Sequence, residues 1–141
     1  MRIGIDIGNV IIGGGGEDTF FTDSFLETDM VEGARPSLEA LAHKGHELHF
    51  VSKCGKGVEE KTIEWLYAYK FEYILDFHRI HFVRKRPLKA PMAQALELEV
   101  FIDDREDIIE SLQGVVEYPI LFTSWEQTNK ELEAILPSTR S

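Results

Sequence analysis

The feature that most constrains this chain is a rhythm of short apolar runs, each closed by polar residues and separated from the next by helical periodicity. Met1 to Ile7 is the first run. His46 to Val51 is the second, with helical patterns before it (Pro36 to Lys44) and after it (Val58 to Tyr69). Arg79 to Val83 is the third. Val100 to Ile102 is the fourth, after a helical stretch at Lys89 to Leu96. Pro119 to Phe122 is the fifth, after Glu106 to Leu112, and Trp125 to Ile135 is a last helix. Short strands alternating with helices predict a parallel sheet covered on both faces. The expected fold is therefore a three-layer α/β/α, Rossmann-like arrangement with a mainly parallel sheet of about five strands. Residues 1–136 are expected to form one domain, with a frayed tail over 137–141.

Sheets of this kind bind ligands beyond the carboxyl ends of their strands. Those ends carry Asp6, Ser52 and the pair Asp103–Asp104, all directly after apolar runs. Carboxylates gathered at one sheet edge repel one another unless a hard cation sits among them, and Mg²⁺ takes such oxygen ligands. A carboxylate can also act as a covalent nucleophile. The bland alternative is that Asp and Ser at strand ends cap the following helix. Composition narrows the partners. The formal net charge of −10 argues against nucleic acid, whose backbone is bound through clustered Lys and Arg. It leaves room for a small phosphorylated substrate, because a metal ion and one or two local cations can reverse the field inside a site. No apolar run approaches the ~20 residues of a membrane span. Cys54 is the single cysteine and the first residues lack a basic-then-apolar targeting pattern, so a reducing, cytoplasmic setting is expected.

The strand ends also match a known set of motifs. Asp6-Ile7-Gly8-Asn9-Val10 resembles the first motif of the haloacid-dehalogenase superfamily of hydrolases. Phe50-Val51-Ser52 resembles the second, and Lys89 lies where the lysine of the third belongs. Phe101-Ile102-Asp103-Asp104-Arg105 resembles the fourth, with some likeness to its 5′(3′)-deoxyribonucleotidase branch. The resemblance runs from about residue 1 to residue 125, in the right order. It implies that Asp6 is a nucleophile that forms an aspartyl-phosphate. Ser52 and Lys89 would hold the transferring oxygens, with Asn9 and Lys53 as further phosphate contacts. Asp6, the Gly8 carbonyl and Asp104 would bind Mg²⁺, supported by Asp103. Lys89 is preferred over Lys85 and Arg84 as the phosphate-facing cation because it opens a helix shortly before the fourth strand.

Two departures from that pattern matter. The phosphatases of the superfamily usually carry a second Asp two residues after the nucleophile, as acid and base; here that residue is Gly8. The expected activity is a Mg²⁺-dependent phosphatase acting on a small phosphomonoester, a nucleotide or a sugar phosphate. The alternative is a phosphate- and Mg²⁺-binding domain with a regulatory role and little or no turnover. The chain also lacks room for an inserted cap domain, so 13–28 can form only a flap. The site is then open unless a partner subunit, such as a second copy of the chain, covers it.

Other features lose to plainer readings. Ile3 to Gly8 also resembles the start of actin-like sugar kinases, but nothing later in the chain matches their phosphate and adenosine loops. A phosphoacceptor receiver domain presents its acidic pair early, whereas here Asp6 comes first. Gly13 to Gly16 is not followed by Gly-Lys-Ser/Thr, so it is no Walker loop. Cys54 lacks the following Arg of a tyrosine-phosphatase nucleophile. His46 and His49 sit three apart on one expected strand and so face opposite ways, against a zinc site, and His78 and His81 would do the same if they shared a strand. The alternating rings from Trp65 to Tyr73 have few neighbouring cations and read as core and partner contact rather than a base-stacking platform.

Overall fold

A computed structural model describes residues 1–13 and 19–136. Five strands form one parallel sheet: β1 (Arg2–Ile5), β2 (Glu47–Lys53), β3 (Ile80–Val83), β4 (Val100–Asp103) and β5 (Tyr118–Leu121). The helices are α1 (Ala34–His43), α2 (Lys56–Ala68), α3 (Lys89–Ala95), α4 (Glu106–Ser111) and α5 (Trp125–Ile135). The strand order is β3-β2-β1-β4-β5. The chain winds outward from β1 to β3, then crosses back to β4 and winds the other way. The reversal falls between β1 and β4, the place where open parallel sheets leave a crevice for ligand.

The layers follow from the apolar pattern. Ile3, Ile5, Leu48, Phe50, Val100 and Ile102 point to one face and are fully or almost fully buried. There they meet Leu38 and Leu41 of α1, Trp65 and Leu66 of α2, and Leu132 of α5. On the other face Val51 and Phe101 pack with Ala93 of α3, Ile108 of α4 and Leu112 just after it. Strands covered on both sides have no water-facing row, and that is why they read as unbroken apolar runs. Gly4 lets Leu98, in the connection after α3, and Phe101 of β4 pack close to β1: a Cβ there would stand 2.5 Å from Leu98 Cδ1 and 2.8 Å from Phe101 Cδ2.

The first strand stops earlier than the apolar run suggests. The amides of Val10, Ile11 and Ile12 all donate to the Ile7 carbonyl, at 3.2, 2.8 and 3.1 Å. This wraps the chain into a tight loop straight after Asp6, so Ile7 is buried without being strand. Among the described residues no cap domain is inserted between β1 and α1 or between β2 and β3. Residues 19–28 form two short 3₁₀ turns against α2, tied there by Trp65 Nε1 donating to the Thr28 carbonyl and Tyr69 Oη donating to the Leu26 carbonyl. The rest of the glycine run, 14–16, and the tail at 137–141 lie outside the described residues. Among the described residues no helix is long and apolar enough to cross a membrane.

Candidate active site

Parallel pairing brings the strand-end acids together. The register sets Ile5 against Ile102, and the next step sets Asp6 beside Asp103. The Asp6 amide donates to the Ile102 carbonyl at 2.9 Å, which fixes its backbone to β4. Lys89, the first residue of α3, is 2% exposed and reaches both acids. Its Nζ donates to Asp6 Oδ1 at 3.1 Å and to Asp103 Oδ2 at 2.7 Å. Asp103 Oδ1 accepts the Arg105 amide at 3.1 Å, which turns the chain toward α4. Asp104 is less buried, and one carboxylate oxygen each from Asp6, Asp103 and Asp104 can be chosen within 4.8 Å of one another.

The electrostatics follow from this crowding. Burial pushes the Asp6 carboxyl up to about 8; Lys89 opposes the rise, and Asp103 and then Asp104 add to it. Burial also raises Asp103, again against Lys89. Burial by itself would pull the Lys89 ammonium down, but Asp6 and Asp103 hold it above its ordinary value. With all three carboxyls ionised, one ammonium would leave two negative charges uncompensated, which is the charge of one divalent cation. The donor set is all oxygen, as Mg²⁺ requires. The Gly8 carbonyl accepts no hydrogen bond from any described residue: the bridge between Gly8 and Ile12 uses the carbonyls of Ile7 and Ile12. The three acids therefore have the donors and spacing to hold a hard divalent cation such as Mg²⁺.

The remaining sequence candidates fall into place unevenly. Ser52 is buried at the end of β2, level with the loop after Asp6 through the Ile5–Phe50 register. Asn9 is exposed in that loop with a left-handed φ of 63°. Lys53 is exposed on the sheet face opposite Ser52 and touches none of the acids. Of the three cations weighed at this edge, only Lys89 reaches Asp6. Arg84 instead donates to the Cys54 carbonyl at 3.0 Å and to Glu59 at 2.8 Å. Lys85 is exposed and makes no ion pair among the described residues. Cys54 is buried two residues beyond Ser52.

One contributor carried no sequence signal. Trp125, 1% exposed at the start of α5, donates its indole N–H to the Val10 carbonyl at 2.8 Å and so braces the loop that carries Asp6 and Gly8. The histidines also differ from expectation. His46 precedes β2 and His78 lies in a turn, so neither pair shares a strand. Instead, neighbouring strands bring His49 Nδ1 to 3.1 Å from His81 Nε2, with Glu47 at 2.7 Å on the far side of the His49 ring. Among the described residues the three acids are the one cluster with the spacing of a metal site.

The fold that these elements define is that of the haloacid-dehalogenase-type hydrolases. A hydrolase from Streptococcus pneumoniae aligns over 94% of this chain and 97% of its own, with a TM-score of 0.65 at 16% identity. A HAD hydrolase of family IA from Entamoeba histolytica aligns over 94% and 88%, with a TM-score of 0.62 at 15% identity. The HAD domain of the Legionella pneumophila effector Lem4 aligns over 99% and 97%, with a TM-score of 0.57 at 12% identity. In sequence, a protein of Oceanobacillus iheyensis named provisionally as a nucleotidase is 27% identical over 96 residues, 68% of this chain. This chain spans about half of that relative, 48% of its length. No protein-family model matches the chain.

Proposed function

We propose that the chain is a Mg²⁺-dependent phosphatase that hydrolyses a small phosphomonoester through an aspartyl-phosphate at Asp6. The observation that carries this reading is Lys89 seated between Asp6 and Asp103 at the switch point of the sheet, with Asp104 in ligand range. When bound at these acids, Mg²⁺ would neutralise charge on the transferring phosphoryl group. The Asp6 carboxylate attacks phosphorus, and the bond from phosphorus to the alcohol oxygen breaks. The departing alkoxide takes a proton from water, because Gly8 offers no acid. Water then attacks the phosphorus of the acyl phosphate, inorganic phosphate leaves and the Asp6 carboxylate returns. Lys89 supplies a fixed positive charge beside the reacting carboxylate, and Ser52 would donate a hydrogen bond to a phosphoryl oxygen. A nucleotide or a sugar phosphate is the substrate class in view; the likeness to the nucleotidase-named relative favours the first.

Gly8 supports a second reading, a phosphate- and Mg²⁺-binding domain without useful turnover, since acid–base help is typically worth ~10²–10⁴-fold. Hydrolysis of nitrophenyl phosphate, sugar phosphates and nucleoside monophosphates, with and without Mg²⁺ and with Asp6→Asn alongside, separates the two. Metal-dependent turnover that disappears in Asp6→Asn supports the phosphatase. Ligand-induced stabilisation that survives Asp6→Asn without any turnover supports the binding domain.

A further inference from the structure

Part of this acidic chain's positive charge lies around the carboxyl edge of the sheet. Lys53, Arg84, Lys85, Arg86, Lys89 and Arg105 supply six of its fifteen Lys and Arg residues, all at the carboxyl edge of the sheet or in the connections leaving it toward α3 and α4. Lys53 pairs with Val83 in the β2–β3 register, so Arg84 follows directly on the neighbouring strand. Half of this set is already engaged. Lys89 serves Asp6 and Asp103. Arg84 is paired with Glu59 at 2.8 Å and Arg105 with Asp107 at 3.0 Å. Lys53, Lys85 and Arg86 are exposed, and among the described residues they form no ion pair. Arg86 opens the short turn Arg86–Leu88, which packs against α3 and α4.

The scissile phosphate does not account for these cations. Lys89, Ser52 and a divalent ion at the acids already serve it. Like charges held close repel by ~1 kcal/mol at ~4 Å even in water, and an anion lodged among them reverses that. Resting on the phosphatase reading above, we propose that the substrate is a small bisphosphorylated molecule whose second phosphate binds Lys85 and Arg86, with Lys53 at the margin of the same patch. The extent of the patch favours a small molecule over a nucleic acid. Glu59 and Asp107 border it through their pairs with Arg84 and Arg105, and they would repel a backbone that continued past the rim.

The test uses the intact chain with Mg²⁺ and matched probes: adenosine 5′-monophosphate against adenosine 3′,5′-bisphosphate, fructose 6-phosphate against fructose 1,6-bisphosphate, and a 5′-phosphorylated tetranucleotide. The expected result is a kcat/KM about tenfold or more higher for at least one bisphosphate than for its monophosphate, equivalent to ~1.4 kcal/mol. That advantage should shrink below about twofold in Lys85→Gln/Arg86→Gln. Turnover of nitrophenyl phosphate should be unchanged by the double substitution. Equal values within both matched pairs would overturn the proposal, as would a preference that survives the substitution. A tetranucleotide that outperforms both bisphosphates and loses its advantage in the double variant would overturn the small-molecule form in favour of a nucleic-acid end. If the parent hydrolyses nothing, the phosphatase reading fails by itself. Calorimetric binding of the same probes then decides the second site: tighter bisphosphate binding that is lost in the double variant upholds it, and equal binding sinks it.

Discussion

Replacing Gly8 by Asp asks whether one side chain is what limits this site. The backbone can take the change. A Cβ built on Gly8 meets nothing within 4 Å, and its φ lies outside the left-handed region. The residue is exposed, and exposed substitutions usually move stability by within about 0.5 kcal/mol. A fourth carboxylate near Asp6, Asp103 and Asp104 adds ~1 kcal/mol of repulsion per neighbour at ~4 Å in water, which bound Mg²⁺ offsets. The new carboxyl would protonate a leaving alkoxide and then take a proton from the attacking water. Such help is worth ~10²–10⁴-fold, or ~2.7–5.5 kcal/mol of barrier. A nitrophenolate leaves without a proton at neutral pH, so its release should gain less than about tenfold, while an alkyl phosphate should gain ~10²-fold or more. Steady-state kcat/KM for the two substrates, parent against Gly8→Asp, reads this ratio directly, and urea midpoints show that both proteins are folded. Equal gains on both substrates, or no gain on the alkyl phosphate from a folded variant, would refute the reasoning that proton transfer is the missing step.

Three further outcomes are expected. Burial holds Asp6 at about 8 against an ordinary 3.8, so the folded chain keeps a proton that the unfolded chain has released between those values. The stability from this group is full below about pH 3.8 and is lost as pH rises through about 8; in EDTA the urea midpoint of Asp6→Asn should pull ahead of the parent over that range, and parallel profiles would contradict it. Lys89→Met leaves Asp6 and Asp103 buried without their cation, which should cost ~3–5 kcal/mol in EDTA at pH 8; added Mg²⁺ should recover part of it, and a midpoint indifferent to Mg²⁺ would argue against a metal at these acids. Trp125→Phe removes the donor to the Val10 carbonyl and should cost ~1–3 kcal/mol; kcat for nitrophenyl phosphate should fall with KM little changed, and unaltered kinetics would show that the indole braces only the core.

How much of this was legible beforehand can be argued from particular residues. The five strands and five main helices could be placed from the chain alone because burial on both faces leaves an apolar signature that is local in sequence. Asp6, Ser52, Asp103 and Asp104 stood out for a similar reason, since each directly ends such a run. What distance in sequence hides is partnership. Lys89 lies 83 residues from Asp6; its place at the head of a helix before β4 already favoured it over Arg84 and Lys85, but its reach to both acids is visible only in the packed fold. Trp125 lies 115 residues from Val10, and nothing in its local pattern says that its N–H turns inward to the Asp6 loop. The His49–His81 contact runs between neighbouring strands, and spacing along one strand carries no sign of it.

The sequence by itself therefore determined the layered α/β architecture and the positions where charged residues meet the sheet edge. Both depend on periodicity and on the residue that follows it. Only the tertiary structure decided which cation faces which acid, that Gly8 borders open space, and that Lys53, Lys85 and Arg86 make no ion pair among the described residues. Those are questions of direction and distance between segments far apart in the chain, and strand order, crossover handedness and packing set them together.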